Sequence, residues 1–185
     1  LLHPAAKKNR AEIASEIVRF PQEFLELYSP TDYQGIEPIW PGGLVDNYTK
    51  DEFKRIKAHY AGECSHVDRW VGHVVDTLQS QHLLDNTIVV FMSDHGCIMG
   101  EQGQIHKGQD RLRIQVTRCP LVIRMPETQH AGTVVDGFVQ HQDIMPTLLG
   151  LVEQTVPERC NGQNFWPLVT KHQPIDLRDI IVSGF

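Results

Sequence analysis

Asp94 and His95 stand side by side at the end of an apolar run, Val89-Val90-Phe91-Met92, and Gly96 follows them. An anionic oxygen next to a neutral ring nitrogen can hold a divalent cation, which acts as a Lewis acid toward an ester. Downstream, Lys107 offers a point cation able to neutralise charge growing on non-bridging oxygens in a transition state. His106 beside it could donate to a substrate oxygen or simply line its loop. Each group also has a plain structural explanation. Asp94 could cap the segment after a strand, and most lysines are surface lysines. The lysine following the pair weighs for the metal. His59, His66 and His73 recur at helical spacing, but a metal ladder would need carboxylate or thiol company aimed inward, so they read as a solvated or partly buried face.

The run from Thr87 to Met92 has no polar alternation, which predicts a strand covered on both faces, as in a parallel sheet flanked by helices. Ligands in such sheets collect beyond the carboxyl ends of the strands, where Asp94 and His95 emerge. Gly96 permits a sharp turn, and Gly100, Gly103 and Gly108 make the following loop pliable. Thr49-Lys50-Asp51-Glu52 has the form of a capping box and predicts a helix start. Phe53, Ile56, Tyr60, Cys64, Val67, Val71, Val74, Val75 and Leu78 then mark a core-facing stripe. A second amphipathic helix is predicted over Ala5 to Phe20, closed by Pro21. The breaker-rich chain from there to Asn47 reads as a long loop. Strands are predicted over Pro120–Met125, Val134–Val139 and Arg178–Ser183. Asp143 is a credible N-cap for a helix with Pro146 in its first turn.

With 185 residues, 41% of them hydrophobic, the chain can bury one substantial core, and it reads as a single unit without repeats or linkers. A net charge of −6 argues against a general nucleic-acid binder. No apolar run approaches the length of a membrane span. Cys64, Cys97, Cys119 and Cys160 have neither paired zinc spacing nor the density of a disulfide scaffold, so four reduced thiols are expected.

Ser93-Asp94-His95-Gly96, Gly100-Glu101, His106-Lys107-Gly108, Arg118-Cys119-Pro120-Leu121-Val122-Ile123-Arg124 and the segment from Val139 to Leu149 follow one another in an order that resembles the sulfatase family. The pattern, running from about Tyr60 to Leu168, is similar also to the phosphonate monoester and phosphodiester hydrolases of the same alkaline phosphatase superfamily. The resemblance implies an α/β fold with a mainly parallel sheet flanked by helices, and the C-terminal part of a catalytic domain, truncated at both ends. It implies hydrolysis of a sulfate ester of a small molecule or glycan, with a divalent metal at Asp94 and His95. Calcium is the ion it implies, with manganese the alternative because histidine is an unusual ligand for so hard a cation. Lys107 would contact the sulfate oxygens as a catalytic residue, His106 would assist in substrate binding, and His3, before Pro4, is the candidate leaving-group histidine. The family's nucleophile is a formylglycine made from a Cys/Ser-x-Pro-x-Arg segment; no such segment stands here, so it is expected upstream of Leu1. A phosphonate or phosphodiester hydrolase, and a non-catalytic remnant that binds a metal weakly or only a partner and is prone to self-association through exposed core edges, are the alternative readings.

Overall fold

The computed structural model describes residues 22–28, 33–35, 42–107 and 112–170, with only the backbone of His106. The predicted helix over Ala5–Phe20, the predicted strand over Arg178–Ser183 and the candidate His3 lie outside the described residues. The chain divides into two compact units, one of residues 1–82 and 97–108, the other of residues 83–96 and 109–185.

In the first unit a short helix, α1 (Gln22–Glu26), buries Phe24 and Leu25 where the breaker-rich sequence reads as loop. Its apolar pair packs against the long helix: the guanidinium of Arg69 lies 4.4 Å over the Phe24 ring. Strand β1 (Gly43–Leu44) precedes the long helix α2 (Lys50–Ser80), which starts at the predicted capping box. The Glu52 amide donates to the Thr49 hydroxyl at 3.2 Å, and the Thr49 amide donates to Glu52 Oε2 at 2.7 Å. These two bonds satisfy amides that a helix start leaves without partners.

The Thr49 amide, and after it the Thr49 hydroxyl, hold the Glu52 carboxyl below its ordinary value of 4.5. A carboxyl whose pKa is depressed by folding contributes stability above the unfolded value, and that contribution is lost as pH falls through the folded value. Thr49→Ala is expected to lower stability by about 1 kcal/mol at neutral pH. The gap from the native protein should narrow below pH 4.5. Thermal unfolding followed by circular dichroism checks both; a gap that stays constant with pH contradicts the coupling.

The predicted stripe of α2 is buried only near its start. Ile56 is 1% exposed, while Val67 and Val74 are more than half exposed. Periodicity reports which face is apolar, and the described residues cover that face only as far as Gly62. His66 and His73 lie on a partly solvated face as expected, both packed against the ring of Trp70.

The stretch read as a pliable glycine loop is a β-hairpin. Strand β3 (Ile98–Met99) pairs antiparallel with β4 (Gln104–His106), which pairs antiparallel with β1. Ile98 and Ile105 are fully buried, each removal from water contributing about 1.5–3 kcal/mol. Gly100 turns the hairpin at φ +112, and a Cβ there would stand 2.5 Å from the Phe53 ring of α2. Glycine is therefore needed for both conformation and space.

In the second unit β2 (Val89–Met92) pairs antiparallel with β5 (Leu121–Arg124), with Val89 opposite Arg124 and Met92 opposite Leu121. The short helix α3 (Ile114–Thr117) lies between them in sequence. This corrects the expectation of a mainly parallel sheet: every strand pairing among the described residues is antiparallel. It also corrects the two covered faces, since Phe91 and Met92 remain exposed. An apolar run without alternation carries no information about strand direction, which the returning chain decides. The strand predicted over Val134–Val139 is irregular backbone. Val134 is 90% exposed, and β-branched residues form strands only where a neighbouring strand or packed face receives them. Helices α4 (Ile144–Leu151) and α5 (Trp166–Thr170) complete the unit, whose buried residues include Pro146, Thr147, Phe165, Leu168 and Val169. The architecture is thus mixed α/β.

Candidate metal-binding site

Strand β2 ends at Met92, and the chain makes a tight polar turn over 93–96. The Ser93 hydroxyl donates to the His95 carbonyl at 2.6 Å, and the His95 amide donates to Asp94 Oδ1 at 2.8 Å. The Gly96 amide donates to the Val116 carbonyl at 2.8 Å, tying the end of the turn to α3. A Cβ on Gly96 would lie 2.0 Å from the Gln115 carbonyl oxygen. The glycine is therefore required by a close approach of two backbones, rather than by the sharp turn the sequence indicates.

The imidazole of His95 is oriented by its own neighbour. Nδ1 lies 3.0 Å from the Gly96 carbonyl oxygen, which can only accept, so Nδ1 carries the proton. The lone pair is then on Nε2, as a metal-binding histidine needs. Nε2 stands 3.4 Å from Asp94 Oδ2. Neighbouring ligands of one calcium ion, each 2.3–2.6 Å from it at a right angle, are about 3.3–3.7 Å apart. The pair therefore fits one divalent ion. The Asp94 side chain is 85% exposed, which leaves room for an ion to enter. Among the described residues no group of three or more His, Cys, Asp or Glu side chains gathers to hold a metal. Two such residues could supply only part of a coordination shell.

Lys107 follows β4 in the first unit and is exposed. His106 is the residue of β4 opposite Ile98. The thiols near these groups are shifted away from the thiolate form. Burial pushes Cys97 up, opposed by the charge of Lys107 and reinforced by that of Glu101. Burial and then the charge of Asp94 push Cys119 up. Both thiols are protonated at neutral pH, and the protonated form is unreactive.

Two residues of the turn that reaches Ser93 have roles that sequence reasoning does not give. His141 Nε2 reaches the Ser93 carbonyl oxygen at 2.7 Å. Asp143, which the sequence predicts as the cap of α4, makes no side-chain cap bond to that helix. Its carboxylate instead accepts from the Gln140 amide at 2.7 Å and from the Gln163 amide at 2.8 Å. In the sequence Asp143 reads only as a helix cap, and His141 stands unremarked between Gln140 and Gln142.

The sulfatase family model matches residues 11–154. This chain belongs to the sulfatase family. It is 30% identical over 128 residues to the multifunctional alkaline phosphatase superfamily protein PehA of Trinickia caryophylli, covering 69% of this chain and 24% of PehA. It is 32% identical over 139 residues to arylsulfatase K of Canis lupus familiaris, covering 75% of this chain and 25% of that protein. Its structure is similar to the phosphonate monoester hydrolase of Silicibacter pomeroyi, with a TM-score of 0.64 and 27% identity over 96% of this chain and 33% of the other. This sulfatase-family chain spans about a quarter of the length of the curated relatives it matches. No described helix is long and apolar enough to cross a membrane.

Proposed function

We propose that the protein carrying this chain hydrolyses a sulfate ester, and that the chain is the C-terminal part of its catalytic domain. The observation that carries the reading is the Asp94–His95 pair, with the His95 proton held on Nδ1 by Gly96 and Nε2 turned to Asp94 Oδ2. Asp94 Oδ2 and His95 Nε2 would hold the divalent ion, calcium by family resemblance or manganese. Bound there, such an ion supplies Lewis acidity toward the non-bridging oxygens of the ester. The Lys107 ammonium is proposed to bind the same oxygens and neutralise charge as the bond to the leaving oxygen breaks. His106 assists in binding, and His3 is the candidate that protonates the leaving group. These assignments rest on the order of residues along the chain. The four cysteines lie outside any Cys-x-Pro-x-Arg segment, so a formylglycine nucleophile would not come from them.

A phosphonate monoester or phosphodiester is the second reading, favoured by the similarity to the hydrolase from Silicibacter pomeroyi. The test compares p-nitrophenyl sulfate with p-nitrophenyl phenylphosphonate as substrates of the intact protein. The first reading expects a higher kcat/KM for the sulfate, and the reverse order establishes the second. Lys107→Ala is expected to lower kcat on the preferred ester by about 10²–10³-fold. Unchanged kcat would remove Lys107 from the chemistry whichever ester is preferred.

A further inference from the structure

We infer that His141 is a positioning residue for the Asp94–His95 pair, acting through the Ser93 carbonyl; the inference rests on the proposed metal site at that pair. His141 lies 48 residues away in sequence, yet its Nε2 is 2.7 Å from that oxygen. A carbonyl only accepts, so Nε2 is the donor and His141 carries its proton there. The Ser93 carbonyl belongs to the same rigid peptide plane as the nitrogen and Cα of Asp94. Holding the oxygen therefore fixes the plane from which the Asp94 side chain departs. The Ser93 hydroxyl, donating to the His95 carbonyl at 2.6 Å, ties the second ligand to the same residue.

An exposed histidine can hold a carbonyl in place only if its own backbone is held. The turn at 140–143 meets that requirement. Asp143 is fully buried and binds the amides of Gln140 and Gln163. The buried Thr147 hydroxyl donates to the Asp143 carbonyl at 2.7 Å and accepts from the Phe165 amide at 3.0 Å. Gly162 closes the other side, so near that a Cβ would lie 1.8 Å from the Gln142 carbonyl oxygen. The turn is thus fastened both to α4 and to the segment leading into α5. His141 carries that rigidity across to the residue that precedes the ligands.

The test measures Mn²⁺ binding to the intact protein, counting unbound ion by electron paramagnetic resonance. His141→Leu, which removes the donor, is expected to weaken binding about 10–100-fold, whereas His141→Gln, whose Nε2 can still donate, should stay within about threefold of native. Equal affinity of His141→Leu and native protein overturns the inference. So does a glutamine variant as weak as the leucine one, because the ring would then act by packing or direct ligation. Failure of the native protein to bind Mn²⁺ would instead overturn the metal reading, and this inference with it. Nitrogen-15 spectra of the native protein give a check that needs no variant. They should place the His141 proton on Nε2, and a proton on Nδ1 contradicts the proposed bond.

Discussion

Gly96→Ala is expected to destabilise the protein by about 3 kcal/mol, the upper part of the range for overpacked sites. It is also expected to weaken Mn²⁺ binding at least about tenfold, as loss of ligand support does. The new methyl would stand 2.0 Å from the Gln115 carbonyl oxygen and 3.1 Å from its carbon. Both are backbone atoms, so no rotamer change relieves the collision. Either α3 moves away or the turn at 93–96 shifts. The second course breaks the bond from the Gly96 amide to the Val116 carbonyl and displaces the carbonyl that orients the His95 ring. A control lies in the same chain: a Cβ on Gly72, inside α2, would meet nothing within 4 Å. Gly72→Ala should therefore stabilise by about 0.5–1 kcal/mol through helix propensity alone. Urea unfolding of both variants decides the matter. Equal effects would show that the close approach at Gly96 is readily relaxed.

What is legible in the sequence follows from which signals are local. The start of α2 is readable because a capping box is complete within four residues, and its length because the apolar period persists. The place of Asp94 and His95 is readable because an apolar run stops just before them, and both follow the end of β2. Strand direction is not, since Val89 to Met92 would look the same beside a parallel or an antiparallel neighbour. The hairpin of β3 and β4 is hidden by Gly100 and Gly103, which read as pliability; at φ +112 and +72 they shape a defined turn. Val134–Val139 has strand-like residues but, among the described residues, no partner strand to pair with. His141 is invisible for a related reason: its bond to Ser93 depends on two turns meeting, and nothing in either turn's sequence encodes the other.

Asp143→Ala is expected to lower stability by about 3 kcal/mol, because it leaves the Gln140 and Gln163 amides without an acceptor, at about 1–3 kcal/mol for each such group once buried. Both amides are partly buried, and the carboxylate between them is fully so. Asp143→Asn separates charge and geometry. The amide has the same shape but only one acceptor oxygen, so it can serve one of the two backbone donors while turning its NH₂ toward the other. It should therefore recover less than half of the lost stability. The same variants probe the site, since the turn that Asp143 fastens carries His141. Mn²⁺ affinity should fall in the order native, Asn, Ala, following stability, because the carboxylate holds the turn and the turn holds the Ser93 carbonyl. If alanine costs less than about 0.5 kcal/mol, the range of an ordinary surface change, the carboxylate is not the fastening of this turn. If stability falls while affinity holds, the turn is fastened by Asp143 but the Asp94–His95 pair does not depend on it.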